Sequence, residues 1–251
     1  MKLISLNTWG GRAGKEKLLE FFEEHKEIDI FCLQEIWNGG EHMLGKSAGG
    51  MKLAGAIPKL LPAIASVLPD HRVYFRPHFF DFYGLAVFVR NQLPVTEEGD
   101  LFVHHERGWV SPEELGNHAR NIQWITIKTK RDLLTIINFH GLWNGGGKGD
   151  SDDRLLQSDN IITFLKTLTN PFILCGDFNL LPNTESLKKL EDFGLRNLIK
   201  ECGITSTRTS FYTKENRFAD YALTTKDINV KDFRILSDEI SDHSPLYLEF
   251  E

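Results

Sequence analysis

The sequence is short of the features that would place it quickly. It has three cysteines, Cys32, Cys175 and Cys202, an odd number without paired spacing, which excludes a disulfide framework and a cysteine zinc cluster. Cys32 and Cys175 sit inside apolar runs and are expected to be buried, reduced thiols, pointing to a reducing compartment. A surplus of positive charge is also missing. Lys and Arg number 29 against 35 Asp and Glu, for a formal net charge of -6, so no global basic field awaits a polyanion; a local patch or a bound cation can still offset the average. Nor is there a long hydrophobic run. Met1 to Trp9 meets Gly10-Gly11-Arg12 without an apolar core of signal-peptide length, and the longest apolar region, Leu53 to Leu68, is interrupted by Pro58, Lys59 and Pro62. These absences lead us to expect a cytoplasmic monomer with no membrane anchor. Internal repeats and low-complexity tracts are lacking as well.

What is present is an ordinary globular composition, 41% hydrophobic and 25% charged over 251 residues, enough for one large domain spanning 1–251. Lys2 to Trp9 reads as a strand with Asn7 at its C-terminal end. Lys15 to Lys26 reads as a helix with one apolar side, and Ile28 to Leu33 as a second strand ending in Gln34-Glu35. Strand, helix, strand implies a crossover that presents Asn7 and Glu35 on one rim. Asn38 to Gly55 contains six glycines and no periodicity, so a loop or flap over about 38–56 is expected, a candidate for substrate contact. Lys59 to Leu68 has helical spacing.

Strands are expected at Gly84 to Val89, Ile122 to Lys128 and Asp132 to Asn138, the last two joined by a turn at Lys128-Thr129-Lys130-Arg131. Gly99 to Ala119 reads as a polar surface loop. Its His104, His105 and His118 invite a zinc site, but no structural-zinc spacing supports one. A helix follows at Asp152 to Leu168, a buried strand at Phe172 to Cys175, and a helix at Leu187 to Leu198. Arg217 to Leu223, Val230 to Leu236 and Leu246 to Phe250 read as the closing strands.

The buried strand ends abruptly in Gly176-Asp177-Phe178-Asn179, which places an acid and an amide two residues apart on one face of an extended chain. Alone, this is as readily a turn with Asx capping. Its company changes the reading. Asn7, Glu35, His140, Asp177 with Asn179, Asp220, and Asp242 with His243 each lie at the end of a strand-like run, and strand ends on one rim are where sites are built. Acids, amides and two histidines without a thiolate cluster favour a hard, oxygen-loving cation. Trp37 and Trp143 follow two of these ends, placed to stack on a base or sugar or to pack in the rim. Arg154, at the start of a helix, is left outside the catalytic set.

The ordered set Asn7-Thr8-Trp9, Gln34-Glu35, Asn138-Phe139-His140, Gly176-Asp177-Phe178-Asn179 and Ser241-Asp242-His243 resembles the endonuclease/exonuclease/phosphatase superfamily of metal-dependent phosphohydrolases. The resemblance implies an α+β fold, a DNase I-like four-layer α/β/β/α sandwich with the site where strand ends meet. It implies Mg2+ or Mn2+ held mainly by Glu35, with Asn7 and Asp242 close by. His243 would act at the phosphoryl centre, oriented by Asp220; Asp177 would align or deprotonate water; Asn179 would donate to the phosphate. His140 suits the two-histidine branch of that superfamily, and Trp143 is a candidate substrate contact. The expected activity is a divalent-metal-dependent phosphodiesterase using in-line attack of water. Nucleic acid is the first expected substrate, a phospholipid or small phosphoester the alternative, and a non-catalytic binding protein on the same fold a third reading.

Overall fold

The computed structural model describes residues 1–48, 50–129 and 132–251. β1 (Lys2–Asn7), α1 (Lys15–Glu24) and β2 (Ile30–Trp37) form the predicted crossover, the two strands parallel with Asn7 beside Gln34. Within the glycine-rich stretch, β3 (Ser47–Ala48) and β4 (Met51–Lys52) pair as a short ribbon before α2 (Leu60–Val67). Pro62 falls in the first turn of α2, where its missing N–H costs no helical bond.

β5 (His71–Phe79), β6 (Tyr83–Arg90), β7 (Val95–His104), β8 (Arg120–Lys128) and β9 (Leu133–His140) come next. They are followed by α3 (Asp152–Leu165), β10 (Phe172–Asp177), α4 (Glu185–Asp192), β11 (Arg196–Asn197) and α5 (Leu198–Glu201). β12 (Asp220–Thr224), β13 (Val230–Ile235) and β14 (Leu246–Phe250) close the chain.

The strands form two six-stranded sheets, ordered β13-β14-β1-β2-β6-β5 and β11-β12-β10-β9-β8-β7. Alternation along each strand decides what each sheet touches. In β2, Ile30 and Cys32 join the core shared with the second sheet, while Phe31 and Leu33 pack outward with Leu18, Phe21 and Phe22 of α1. On the far side, α3 brings Ile161 and Leu165, and α4 brings Leu187 and Leu190, against the second sheet. The result is the expected α/β/β/α sandwich. Each fully buried Leu, Ile or Phe contributes about 1.5–3 kcal/mol, so the alternation is strongly enforced. Cys32 and Cys175 are buried in the shared core; Cys202 is exposed. Among the described residues no helix is long and apolar enough to cross a membrane.

One polar bridge crosses the core. Gln34 Nε2 donates to Asn138 Oδ1 at 2.7 Å, and Asn138 Nδ2 donates to the Leu33 carbonyl at 3.0 Å, so the amides of the first and second sheets lock β2 to β9 just below the site.

Several expectations need correction. Gly99 to His104 belongs to β7, and His104 and His118 are buried, not loop residues on the surface. β5 carries so many charged and aromatic residues that its pattern hid it. The helix expected at Leu187 to Leu198 is α4, which stops at Asp192 because Gly194 takes a φ of 109° and turns the chain into β11. In α3 the apolar Leu156 is exposed, whereas the polar Arg154 and Gln157 are buried. Of the turn at 128–131, Lys130 and Arg131 lie outside the described residues.

Candidate active site

The strand register assembles the site. Asp177 ends β10 with His140 of β9 as its parallel neighbour and Asp220 of β12 as its antiparallel one. Gly176 makes this possible. At its φ of 143°, a Cβ would stand 2.0 Å from the Phe139 carbonyl oxygen, and one on Gly141 would stand 2.2 Å from that of Phe178. Only glycine lets the two backbones approach this closely. From the first sheet, Asn7 and Glu35 come to the same rim. Glu35 sits in a bulge of β2 with a φ of 59°, and the extra residue turns its side chain toward Asp177 instead of along the pleat.

Asn7 joins the halves. Its Nδ2 donates to Asp177 Oδ2 at 2.9 Å and to Glu35 Oε1 at 3.2 Å, while its Oδ1 accepts from the Trp9 N–H at 2.9 Å. The Asn179 N–H donates to Asp177 Oδ1 at 2.8 Å, and its side-chain amide reaches the Gly141 carbonyl at 3.3 Å. Ser241 Oγ donates to the Asn7 carbonyl at 2.7 Å and accepts from the His243 N–H at 3.1 Å, which ties the segment before β14 to β1.

Two histidines face Asp177 Oδ2 through Nε2, His243 at 3.5 Å and His140 at 3.7 Å. Their other nitrogens face opposite charges. His243 Nδ1 lies 2.8 Å from Asp220 Oδ1, so it carries the proton and leaves Nε2 a free acceptor. His140 Nδ1 lies 3.2 Å from Arg120 Nη1, which can only donate, so in the neutral ring the proton is on Nε2. Burial, then Arg120, holds the His140 pKa well below its usual range. Burial, then Arg208, lowers His243 to about 4, while burial raises Asp220 to about 6.

Carboxylates gather beside this pair. Burial raises the pKa of both Glu35 and Asp242. Asp242 Oδ1 is buried with no hydrogen-bond partner, and the nearest cation to Glu35 is Arg12 at 3.9 Å. Crowded, under-satisfied carboxylate oxygens suit a hard divalent ion. A tighter group, Asp177, Asp220 and His243, has ligand atoms within 4.8 Å of one another. Its atoms are already engaged: Asp220 with His243 and the Thr207 hydroxyl, Asp177 with Asn7 and Asn179.

These groups open onto a cleft of about 350 Å³, lined also by Trp9, Trp37, Tyr83, Trp143 and Tyr212. Trp37 is buried against Phe82 and Tyr83, while Trp143 stands at the rim with Lys214 5.8 Å above its ring. Arg154 lies behind the site. It donates to the carbonyls of Leu142, Gly147 and Gly149 and so holds the loop that carries Lys148. The sequence reading missed Arg120, Lys148 and Arg208, all buried in the cleft wall. His78 and His118, packed around Arg120 and His140, were likewise unforeseen as neighbours of the site.

The sandwich thus gathers acids, amides and histidines where the strand ends of its two sheets meet. Over residues 4–243 the chain matches the Endonuclease/Exonuclease/phosphatase family, and it belongs to that family. No curated protein matches it by sequence. Among solved structures it is similar to a functionally unknown conserved protein from Enterococcus faecalis, with 18% identity, 100% of this chain and 99% of that one covered, and a TM-score of 0.75. A mannosyl-6-phosphatase from Bacteroides thetaiotaomicron gives 18%, 100%, 99% and 0.72. The human Nocturnin catalytic domain with bound sulfate gives 18%, 100%, 94% and 0.64. At these identities the likeness is one of fold.

Proposed function

We propose that this protein hydrolyses a phosphoester by direct attack of water. The observation that carries the reading is the pair of oppositely polarised histidines around Asp177. Water beside Asp177 gives its proton to Nε2 of His243 as its oxygen bonds to phosphorus and the P–O ester bond breaks, the leaving alkoxide taking a proton from solvent. Asp220 holds the imidazole in the accepting tautomer and balances the imidazolium that forms. His140 Nε2–H and the Asn179 amide donate to phosphate oxygens as charge builds on them. Arg120 keeps His140 in its donating form. Glu35 and Asp242 would hold Mg2+ or Mn2+, with Asn7 fixing Glu35 in place; a bound ion would supply charge neutralisation as a Lewis acid.

A nucleic-acid strand draws much of its affinity from phosphate contacts, and a net charge of -6 supplies no overall attraction for it. A small phosphoester therefore takes precedence over nucleic acid as substrate. The test is hydrolysis of p-nitrophenyl phosphate and bis-p-nitrophenyl phosphate with Mg2+, with Mn2+ and with EDTA, for the native protein and His243→Ala. Metal-dependent hydrolysis that disappears in the variant is expected. Activity unchanged by EDTA and by the substitution would remove the mechanism.

A further inference from the structure

Two of the cleft's cations are buried without a carboxylate of their own. Arg120 is 2% exposed, and its guanidinium meets His78, His140, Tyr83 and the Gly116 carbonyl. Lys148 is 8% exposed; its ammonium donates to the Phe218 carbonyl at 2.7 Å and lies 4.7 Å over the Tyr212 ring. Among the described residues, neither has a carboxylate oxygen within 4.0 Å. Arg208 lies against the same ring at 4.3 Å, and although Nη1 pairs with Asp242, its Nε is buried with no partner. Carboxylates act on these cations only at longer range, Asp177, Asp220 and Asp242 on Lys148 and Glu35 and Asp177 on Arg120, so an anionic ligand would relieve their burial further.

His140 links Arg120 to the reacting centre, so the proposed reaction already employs that charge. Lys148 and Arg208 are not used there. Both lie over the Tyr212 ring, and Arg208 pairs with Asp242 and bridges to His243. In all, five arginine and lysine side chains line the cleft against three carboxylates, in a chain whose total charge is negative.

We propose that Lys148 and Arg208 form an anion subsite that selects the dianionic phosphate of a compact phosphomonoester over a phosphodiester. This rests on the phosphoester-hydrolase reading above and narrows its substrate class. A monoester phosphate carries nearly two charges at neutral pH and a third oxygen free of carbon, whereas a diester carries one charge and a second organic substituent. The ester-free oxygen of a monoester meets the Lys148 ammonium and the Arg208 guanidinium. A diester would place a carbon chain against two buried cations. The cleft volume, about 350 Å³, fits an alcohol of sugar or nucleoside size better than a strand.

The test measures binding as well as turnover. Calorimetry with Mg2+ present compares inorganic phosphate, partly dianionic at neutral pH, with dimethyl phosphate, a monoanion that mimics a diester. The native protein should favour inorganic phosphate by at least about tenfold, and Lys148→Met should remove most of that preference while changing dimethyl phosphate affinity by less than about threefold. Lys148→Arg should retain it, and circular dichroism checks that both variants are folded. In turnover, kcat/KM for p-nitrophenyl phosphate should exceed that for bis-p-nitrophenyl phosphate and fall more than about tenfold in Lys148→Met. Equal affinity for the two anions, a preference that survives Lys148→Met, or faster hydrolysis of the diester would overturn the subsite while leaving the hydrolase reading intact. Failure to bind phosphate and to hydrolyse either ester would overturn both.

Discussion

The two histidines of the cleft are alike in position and opposite in setting. His243 and His140 each direct Nε2 at one oxygen of Asp177, at 3.5 and 3.7 Å. Behind His243 stands a carboxylate, Asp220; behind His140 stands a guanidinium, Arg120. The nearest charge on the far nitrogen sets which tautomer the near nitrogen shows the substrate. One ring thereby presents a bare nitrogen at Nε2 and the other an N–H. Two chemically identical side chains differ only in the charge set behind them.

The largest expected effects test that division. His243→Ala should lower kcat by about 10³–10⁴-fold and His140→Ala by about 10²–10³-fold, the ranges for a lost proton acceptor and a lost oxyanion donor. Equal losses would mean the two rings share one role. Asp220→Asn sharpens the comparison by removing only the backing charge: kcat should fall by about 10²-fold or more with KM little changed. Retention of native kcat in this variant would show that Asp220 does not orient His243. Arg120→Met does the same on the other side, with an expected loss of about tenfold in kcat and no loss of the fold. A larger loss than His140→Ala would place Arg120 itself on the substrate.

The smallest effect concerns stability and the unused histidines. Burial lowers His78 to about 3 and His104 to about 4 from an ordinary value of 6.5, and lowers His118 well below it. The unfolded chain then binds protons that the folded one declines, so stability present above pH 6.5 is lost as pH falls. Asp220, raised to about 6, acts with the opposite sign and offsets part of this below that pH. The urea midpoint should therefore decline on acidification from neutrality, starting near the ordinary histidine range; a midpoint that rose instead would contradict the burial of these rings.

The two long strands that escaped the sequence reading share a place. β5 and β7 are the outer strands of their sheets, with charged positions that are exposed, such as Arg72, Glu97 and Glu98, or half-buried, such as Arg76. An edge strand packs little apolar surface, so its alternation is weak. Interior strands, β2, β6, β9 and β10 among them, bury both faces and were evident as apolar runs. Arg120 illustrates a different limit. A turn near 128–131 was foreseen, and the hairpin of β8 and β9 pairs Ile122 with Phe139, which brings Arg120 beside the end carrying His140. The pairing follows from register, but nothing about one arginine at a strand start announced its use.

The sequence by itself determined the layers, because apolar alternation and the crossover leave few ways to bury two sheets and their helices. It also determined which strand ends carry acids, amides and histidines. Tertiary structure alone decided their electrostatics. Whether a histidine accepts or donates, and whether a lysine lies unpaired in a cleft, depends on groups about twenty to seventy residues away in the chain, brought within a few ångströms by sheet register.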